Sequence, residues 1–251
     1  MKIYCDFTGI YGEDKVGAPD MVIDLSDIEG TGGYCSKEAE TEIRKRTVNL
    51  PAEGVHILDN GNYHYMSLFW LEKIKEPFDL AVFDHHTDMQ ESSLIPALSC
   101  GNWVLEAIKN GGIPVEKIYL IGPEKSDFEQ VDERYKDKIV FVSRPDADRL
   151  CEDQNGAVPE MFTEMSGSKL PVYISVDKDV LSKEELKVNW EQGSMSADGL
   201  KSLVEMIFKT RRVIGMDLCG EPDIRENGFS REEEKSRFID KLLIEVFDRY
   251  G

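Results

Sequence analysis

Two short apolar runs, each ending in a cluster of acids, limit what this chain can fold into more than any other feature. Phe78-Asp79-Leu80-Ala81-Val82-Phe83 follows Pro77 and opens into Asp84-His85-His86-Thr87-Asp88. Pro171-Val172-Tyr173-Ile174-Ser175-Val176 opens into Asp177-Lys178-Asp179. Short apolar runs fed by proline read as buried strands. Each polar cluster then lies where a strand ends, which is where open α/β sheets bind their ligands.

The rest of the chain supplies the alternation such a sheet requires. Strands are expected over Lys2–Phe7, Met21–Leu25, Val55–Leu58, Lys117–Gly122, Lys138–Ser143 and Val213–Leu218. Helices are expected from Ser36, with Glu38 and Glu40 in the first turn and Arg44, Lys45 and Arg46 at the end, an order that suits the helix dipole. Others are expected over Met66–Lys75, Trp103–Lys109, Ala197–Lys209 and Ser230–Arg249. Gly30–Gly33, Met89–Leu98 (through Ser92, Ser93 and Pro96), Pro123–Asp127 and Ser182–Gly193 read as loops, the last as a long loop or short helix. Strands alternating with helices imply a mostly parallel central sheet covered on both faces, a three-layer α/β/α fold. No linker divides the chain, so residues 1–251 read as one domain.

Composition narrows the function. A formal charge of -19 with no basic stripe argues against nucleic-acid binding. No apolar run approaches membrane-spanning length. The five cysteines are odd in number and form no CxxC, as expected of a reduced, cytoplasmic protein. The first residues reach an acid too soon for a signal peptide.

The polar junctions hold the chemistry. On an extended backbone, residues two apart face the same way, so Asp84, His86 and Asp88 would share one side, as would Asp177 and Asp179. Gathered carboxylates repel, and burial strengthens the repulsion. Metal cations relieve it. Four carboxylates balance two divalent ions, and oxygen donors with a minority of imidazoles suit Mn²⁺, Mg²⁺ or Zn²⁺. His64 stands at a third strand–loop–helix junction, after the Asn60-Gly61 turn. Cys100 stands just before a helix N-terminus, where the dipole would favour its thiolate; base rates favour a small buried thiol there.

Three motifs in order give the chain a family resemblance. Gly61-Asn62-Tyr63-His64, Asp84-His85-His86-Thr87-Asp88 and Ser175-Val176-Asp177-Lys178-Asp179 resemble the Gly-Gly-Asp-His, Asp-Ala-His-x-Asp and Ser-x-Asp-x-Asp motifs of the arginase–agmatinase (ureohydrolase) superfamily. The resemblance implies that His64, Asp84, His86, Asp88, Asp177 and Asp179 bind two Mn²⁺ ions, with Zn²⁺ or another divalent ion as substitutes. It implies a hydroxide shared by the ions that attacks the carbon of a small guanidino or amidino substrate. Asp88 and Cys100 are the expected catalytic residues, and Cys100, Asp127 and Glu221 the expected substrate contacts. Homo-oligomers are common in the superfamily, so the resemblance allows a homo-oligomer, while the sequence itself shows no interface signature.

The sequence departs from the family outside the ligand set. Tyr63 replaces the motif's Asp, Cys100-Gly101 stands where the family has His-Gly, and Ser182-Lys183 stands where it has Asp-Pro. Gly220 aligns with the Glu that pairs with a guanidinium, and Glu221 lies one residue later. Two other readings follow. One is a single-zinc, deacetylase-like amidohydrolase, whose paired histidines His85-His86 resemble. The other is a metal-binding module without catalysis.

Overall fold

The computed structural model describes residues 1–11, 19–91, 97–109, 111–152, 160–222 and 231–251. Ten strands are present among them: β1 (Lys2–Asp6), β2 (Met21–Asp24), β3 (Tyr34–Cys35), β4 (Gly54–Ile57), β5 (Phe78–Phe83), β6 (Leu98–Ser99), β7 (Val115–Ile121), β8 (Ile139–Val142), β9 (Val172–Asp177) and β10 (Val213–Cys219). Eight form one sheet in the order β2-β1-β4-β10-β9-β5-β7-β8, with every neighbouring pair parallel. The two-residue strands β3 and β6 pair antiparallel, apart from it.

Burial on both faces explains why the central strands are continuous apolar runs. Every residue of β5 and β9 is buried. In β5, Phe78, Leu80 and Val82 enter the core on one face, while Ala81 and Phe83 enter the core on the other. The first core takes Ala39 and Ile43 from α1 (Lys37–Thr47), Phe69 and Trp70 from α2 (Met66–Leu71) and Trp103 from α3 (Trp103–Lys109). Between β7 and β9 lie α4 (Lys125–Glu129), α5 (Glu133–Lys136), α6 (Arg144–Glu152) and α7 (Glu160–Gly167). The second core takes Ala147 of α6, Met165 of α7, Leu200, Leu203 and Ile207 of α8 (Ala197–Thr210), and Ile239 and Leu243 of α9 (Arg231–Tyr250).

Several expectations change in detail. The sheet is wholly parallel. Segment 123–127 is not all loop, because α4 begins at Lys125. Helix α2 stops at Leu71, where Lys73 and Ile74 bond back three residues to Trp70 and Leu71 and tighten the end. Segment 182–193 is a loop stapled by Gln192, whose amide donates to the carbonyls of Leu181 (3.2 Å) and Leu186 (2.8 Å). Ser92, Ser93 and Pro96, and the Ser230 start of the last helix, lie outside the described residues. Ser36 caps α1 as its sequence requires, accepting from Ala39 N at 3.1 Å. Among the described residues no helix is long and apolar enough to cross a membrane.

The topology sets the site. From β4 the chain leaps over two positions to β5, and β9 and β10 later fill the gap. The C-terminal ends of β4, β10, β9 and β5 therefore stand side by side, at the point where connections diverge and ligands bind.

Candidate metal centre

After β4, a single 3₁₀ turn, Gly61–Tyr63, carries His64 into the interior. Asn60 caps that turn by accepting from Asn62 N at 3.1 Å. His64 is buried, and its Nδ1 lies 3.2 Å from Asp84 Oδ2, 3.1 Å from Asp88 Oδ2 and 3.5 Å from Asp177 Oδ2. The His86 Nδ1 lies 2.9 Å from Asp179 Oδ2 and 3.5 Å from Asp84 Oδ1. Asp84 thus turns one oxygen to each histidine. Two groups follow, His64–Asp84–Asp177 and Asp84–His86–Asp179, and within each the candidate ligand atoms lie within 4.8 Å of one another. Asp88 joins the first through His64.

The ligands do not converge by extended backbone, as the spacing suggested. They converge by turns that their own carboxylates cap. His86 N donates to Asp84 Oδ1 (2.6 Å), and Asp179 N donates to Asp177 Oδ1 (2.9 Å) at the start of a second 3₁₀ turn, Lys178–Val180. Asp88 has φ +49°, a left-handed conformation rare outside glycine. That bend lets its backbone carbonyl accept from Val104 and Leu105 at the start of α3 while its side chain turns to the cleft.

A second layer of residues, not foreseeable from the motifs alone, fixes these side chains. His64 Nε2 meets Ser175 Oγ at 2.9 Å, and that hydroxyl donates to Asp217 Oδ1 at 2.6 Å. With the hydroxyl proton committed to Asp217, Nε2–H donates to Ser175 and Nδ1 is the ring nitrogen turned to the cleft, open to a metal once its proton is displaced. Trp103 Nε1 donates to Asp88 Oδ2 at 2.6 Å. His85 donates its backbone N–H to Asp179 Oδ1 at 3.0 Å. The only sequence signals for this layer were an aspartate inside an apolar strand (Asp217), a serine before the Asp177 cluster, and a tryptophan opening a helix.

Electrostatics point to cations. Asp84, Asp88, Asp177 and Asp179 are all buried, and among the described residues no lysine or arginine lines the cleft they face. Burial pushes the Asp88 carboxyl up to about 7, helped by the charge of Asp84. Burial and the charges of Asp177 and Asp84 hold Asp179 well above the usual carboxylate range. Burial opposes a charge on the histidines, yet their carboxylate partners outweigh it, raising His64 well above its ordinary value and His86 to about 12. Protons therefore occupy the sites where positive charge is wanted. Carboxylate oxygens with two imidazole nitrogens and no thiolate form a donor set suited to hard or borderline divalent ions, so the residues present fit a metal.

The cleft has a volume of about 160 Å³ and is lined beyond the ligands by Tyr34, Gln90, Ser99, Cys100 and Trp190. Trp190 comes from the loop after β9, and its ring lies edge-on to His86 at 5.8 Å. A Cβ on Gly61 would stand 2.7 Å from that ring. Cys100 lines the cleft, and of the two readings open at that position the neutral thiol is the one its surroundings favour: burial, with the charge of Asp88, pushes it up to about 12. Asp127 lies on α4 in a neighbouring groove of about 680 Å³ that meets the cleft at His86 and Gln90. His85 does not line the cleft, which removes the paired-histidine argument for a deacetylase-like site.

Glu221 is a second correction. It is buried away from the cleft lining, 2.9 Å from Lys178 Nζ, and accepts from Ser236 Oγ at 2.6 Å. Gly220 does not leave room for the family's glutamate either. Its φ is +90°, and a Cβ there would lie 2.5 Å from Asp177 Oδ1 and 2.8 Å from Lys178 N. Among the described residues, Cys5, Cys35, Cys100 and Cys219 are free thiols.

A parallel sheet between two helical layers, with histidine and aspartate clusters at the ends of its central strands, defines a class of three-layer α/β/α proteins equipped for divalent metals. Comparison with known proteins narrows it. Residues 21–224 match the model of the arginase family. A protein of Thermotoga maritima described as uncharacterized is 32% identical over 234 residues, which is 92% of this chain and 83% of that one. Formimidoylglutamase from Bacillus subtilis has a similar fold, with a TM-score of 0.71 and 12% identity, covering 100% of this chain and 87% of that one. Proclavaminate amidino hydrolase from Streptomyces clavuligerus superposes with a TM-score of 0.69 and 14% identity, covering 92% and 75%. The chain belongs to the arginase family and is by class an arginase-type C–N hydrolase.

Proposed function

We propose that residues 1–251 form one metallohydrolase domain that holds two Mn²⁺ ions and hydrolyses a C–N bond in a small guanidino or amidino compound. Zn²⁺ or another divalent ion is an alternative occupant. The observation that carries the reading is the pair of ligand groups, His64–Asp84–Asp177 and Asp84–His86–Asp179, with Asp84 common to both. A single-zinc centre would leave one group of buried carboxylates without a cation, so the binuclear reading is favoured.

Two ions held by these residues would supply an activated water for attack on a carbon bonded to nitrogen. The chain's own residues do the rest. Asp88 lies outside both groups but against His64, where it can bind the first ion and accept the proton that the attack releases. Trp103 holds that carboxylate in place. Cys100, kept as a neutral thiol, and Trp190 bound the volume the substrate would fill, and Asp127 offers a carboxylate to a group reaching the neighbouring groove. With Glu221 paired to Lys178, the described cleft has no carboxylate outside the ligand set to clamp a guanidinium from its far side. This favours amidino compounds, or guanidino compounds other than arginine and agmatine.

The test begins with elemental analysis of Mn²⁺-loaded, desalted protein, with Asp177→Ala as control. Two ions per chain, reduced in the variant, would justify screening guanidino and amidino compounds for urea or ammonia release. One ion that prefers Zn²⁺ would move the reading to a deacetylase-like amidohydrolase. Two ions without turnover across the screen would favour a metal-binding module.

A further inference from the structure

Lys178 stands between two candidate ligands, Asp177 and Asp179, yet its own side chain runs the opposite way and is fully buried. Burying an ammonium is costly unless it is completely partnered. Here it is partnered by three groups on two elements: its Nζ lies 2.9 Å from Glu221 after β10, 2.9 Å from Asp240 on α9, and 2.7 Å from Ser236 Oγ on α9. Ser236 in turn donates to Glu221 Oε2 at 2.6 Å. None of these groups reaches the cleft, so none is explained by contact with substrate.

The packing around the cluster is as tight as its bonding. Gly220 presses its bare Cα against the Asp177–Lys178 peptide, and the backbone N–H groups of Gly220 and Glu221 both donate to Asp59 O (3.0 and 3.1 Å). The end of β10 is thereby pinned under the turn that carries both carboxylates. On the cleft side of that turn, Asp177 and Asp179 each belong to a different ligand group. Moving Lys178 would rotate the peptides on either side of it and displace both carboxylates together.

We propose that Lys178 is a positioning residue for the metal centre: held by Glu221, Ser236 and Asp240, it locks the Asp177–Asp179 turn against α9 and so sets the spacing of the two ions. The inference rests on the binuclear reading above. An ion pair that only stabilised the fold would alter melting and leave a saturated metal centre unchanged. A positioning residue alters the centre itself.

The test compares wild type with Lys178→Met and with Lys178→Met/Glu221→Gln/Asp240→Asn. The triple variant leaves no uncompensated buried charge, so it covers the case in which the single variant does not fold. Arg211→Met, which opens the buried Arg211–Asp79 pair at the other end of the sheet, is the structural control. Mn²⁺ alone is titrated into each protein, followed by electron paramagnetic resonance and by competition with a chelating dye. The expected result is an exchange-coupled pair in wild type and in Arg211→Met. In the Lys178 variants, the expectation is at least a tenfold loss of affinity for one ion or a signal of uncoupled Mn²⁺. A folded Lys178 variant with wild-type affinities and coupling overturns this inference alone. A wild type that itself holds fewer than two ions overturns the binuclear reading, and this inference with it.

Discussion

Replacing Ser175 with alanine isolates the bond that orients His64. The substitution removes one oxygen and leaves the strand packing intact. It breaks the 2.9 Å contact to His64 Nε2 and the 2.6 Å hydrogen bond to Asp217. Asp217 is fully buried and loses a short-range donor. A hydrogen bond to a charged group contributes about 1.5–3 kcal/mol. Taking ~2 kcal/mol, affinity for the ion on His64 should fall ~30-fold, inside the 10–100-fold range typical when a ligand's outer partner is removed. The ion between His86 and Asp179 should keep its affinity within about threefold, because Ser175 has no bond to either residue. A two-site Mn²⁺ titration against a competing dye separates the two. Equal weakening at both sites, or no change at either, would refute the orienting role assigned to Ser175.

Three further outcomes are expected. Gly220→Ala places a Cβ 2.5 Å from Asp177 Oδ1 at a φ of +90°, and should cost ~2 kcal/mol or more in thermal unfolding, with weakened metal binding. Trp103→Phe removes the donor to Asp88 and should weaken metal binding about tenfold while the fold, by circular dichroism, stays intact. The third concerns pH. Burial raises the carboxyls of Asp88 to about 7 and Asp217 to about 6 in the folded state, so their stabilising effect is complete below the unfolded value and is lost as pH rises through about 4–7. His86, raised to about 12, acts in the same sense, its contribution fading above its ordinary value. Asp84, held low by its imidazole partners, acts in the opposite sense, but only below its ordinary value and so outside the range above pH 5. The metal-free protein should therefore lose stability from pH 5 to pH 8 in chelator, while Mn²⁺ should remove or reverse that slope. A chelator-treated melting curve that rises over this range would contradict the burial argument.

The parts of the fold legible in the sequence were those with one physical solution. Phe78–Phe83 could only be a strand buried on both faces, and Ser36 followed by acids and then bases could only open and close a helix. Helices α4 to α7 left weaker traces, since α4 and α5 bury no residue in full and so carry no strong apolar stripe. Ligand types were legible because carboxylates and imidazoles in three strand-end clusters serve few other chemistries. Their geometry was not. Nothing in Asp84-His85-His86-Thr87-Asp88 announces a left-handed Asp88 or carboxylates that cap their own turns. Glu221 was misjudged for a related reason: its fate is decided by Lys178, forty-three residues earlier, and by Ser236 and Asp240 on the last helix. Partners that distant leave no local pattern. The state of Cys100 has the same origin, because tertiary burial outweighs the helix dipole.

The position of Trp190 also makes the centre optically addressable. The chain has three tryptophans. Trp70 and Trp103 are wholly enclosed, while Trp190 is 39% exposed and borders the cleft beside His86. Its emission should lie to the red of the other two and should dim when a paramagnetic ion settles within a few ångströms. Filling of the cleft could then be followed in real time from the protein's own fluorescence, with no dye attached. Because the loop that carries Trp190 also bounds the cleft, a small molecule entering it should shift that same red component.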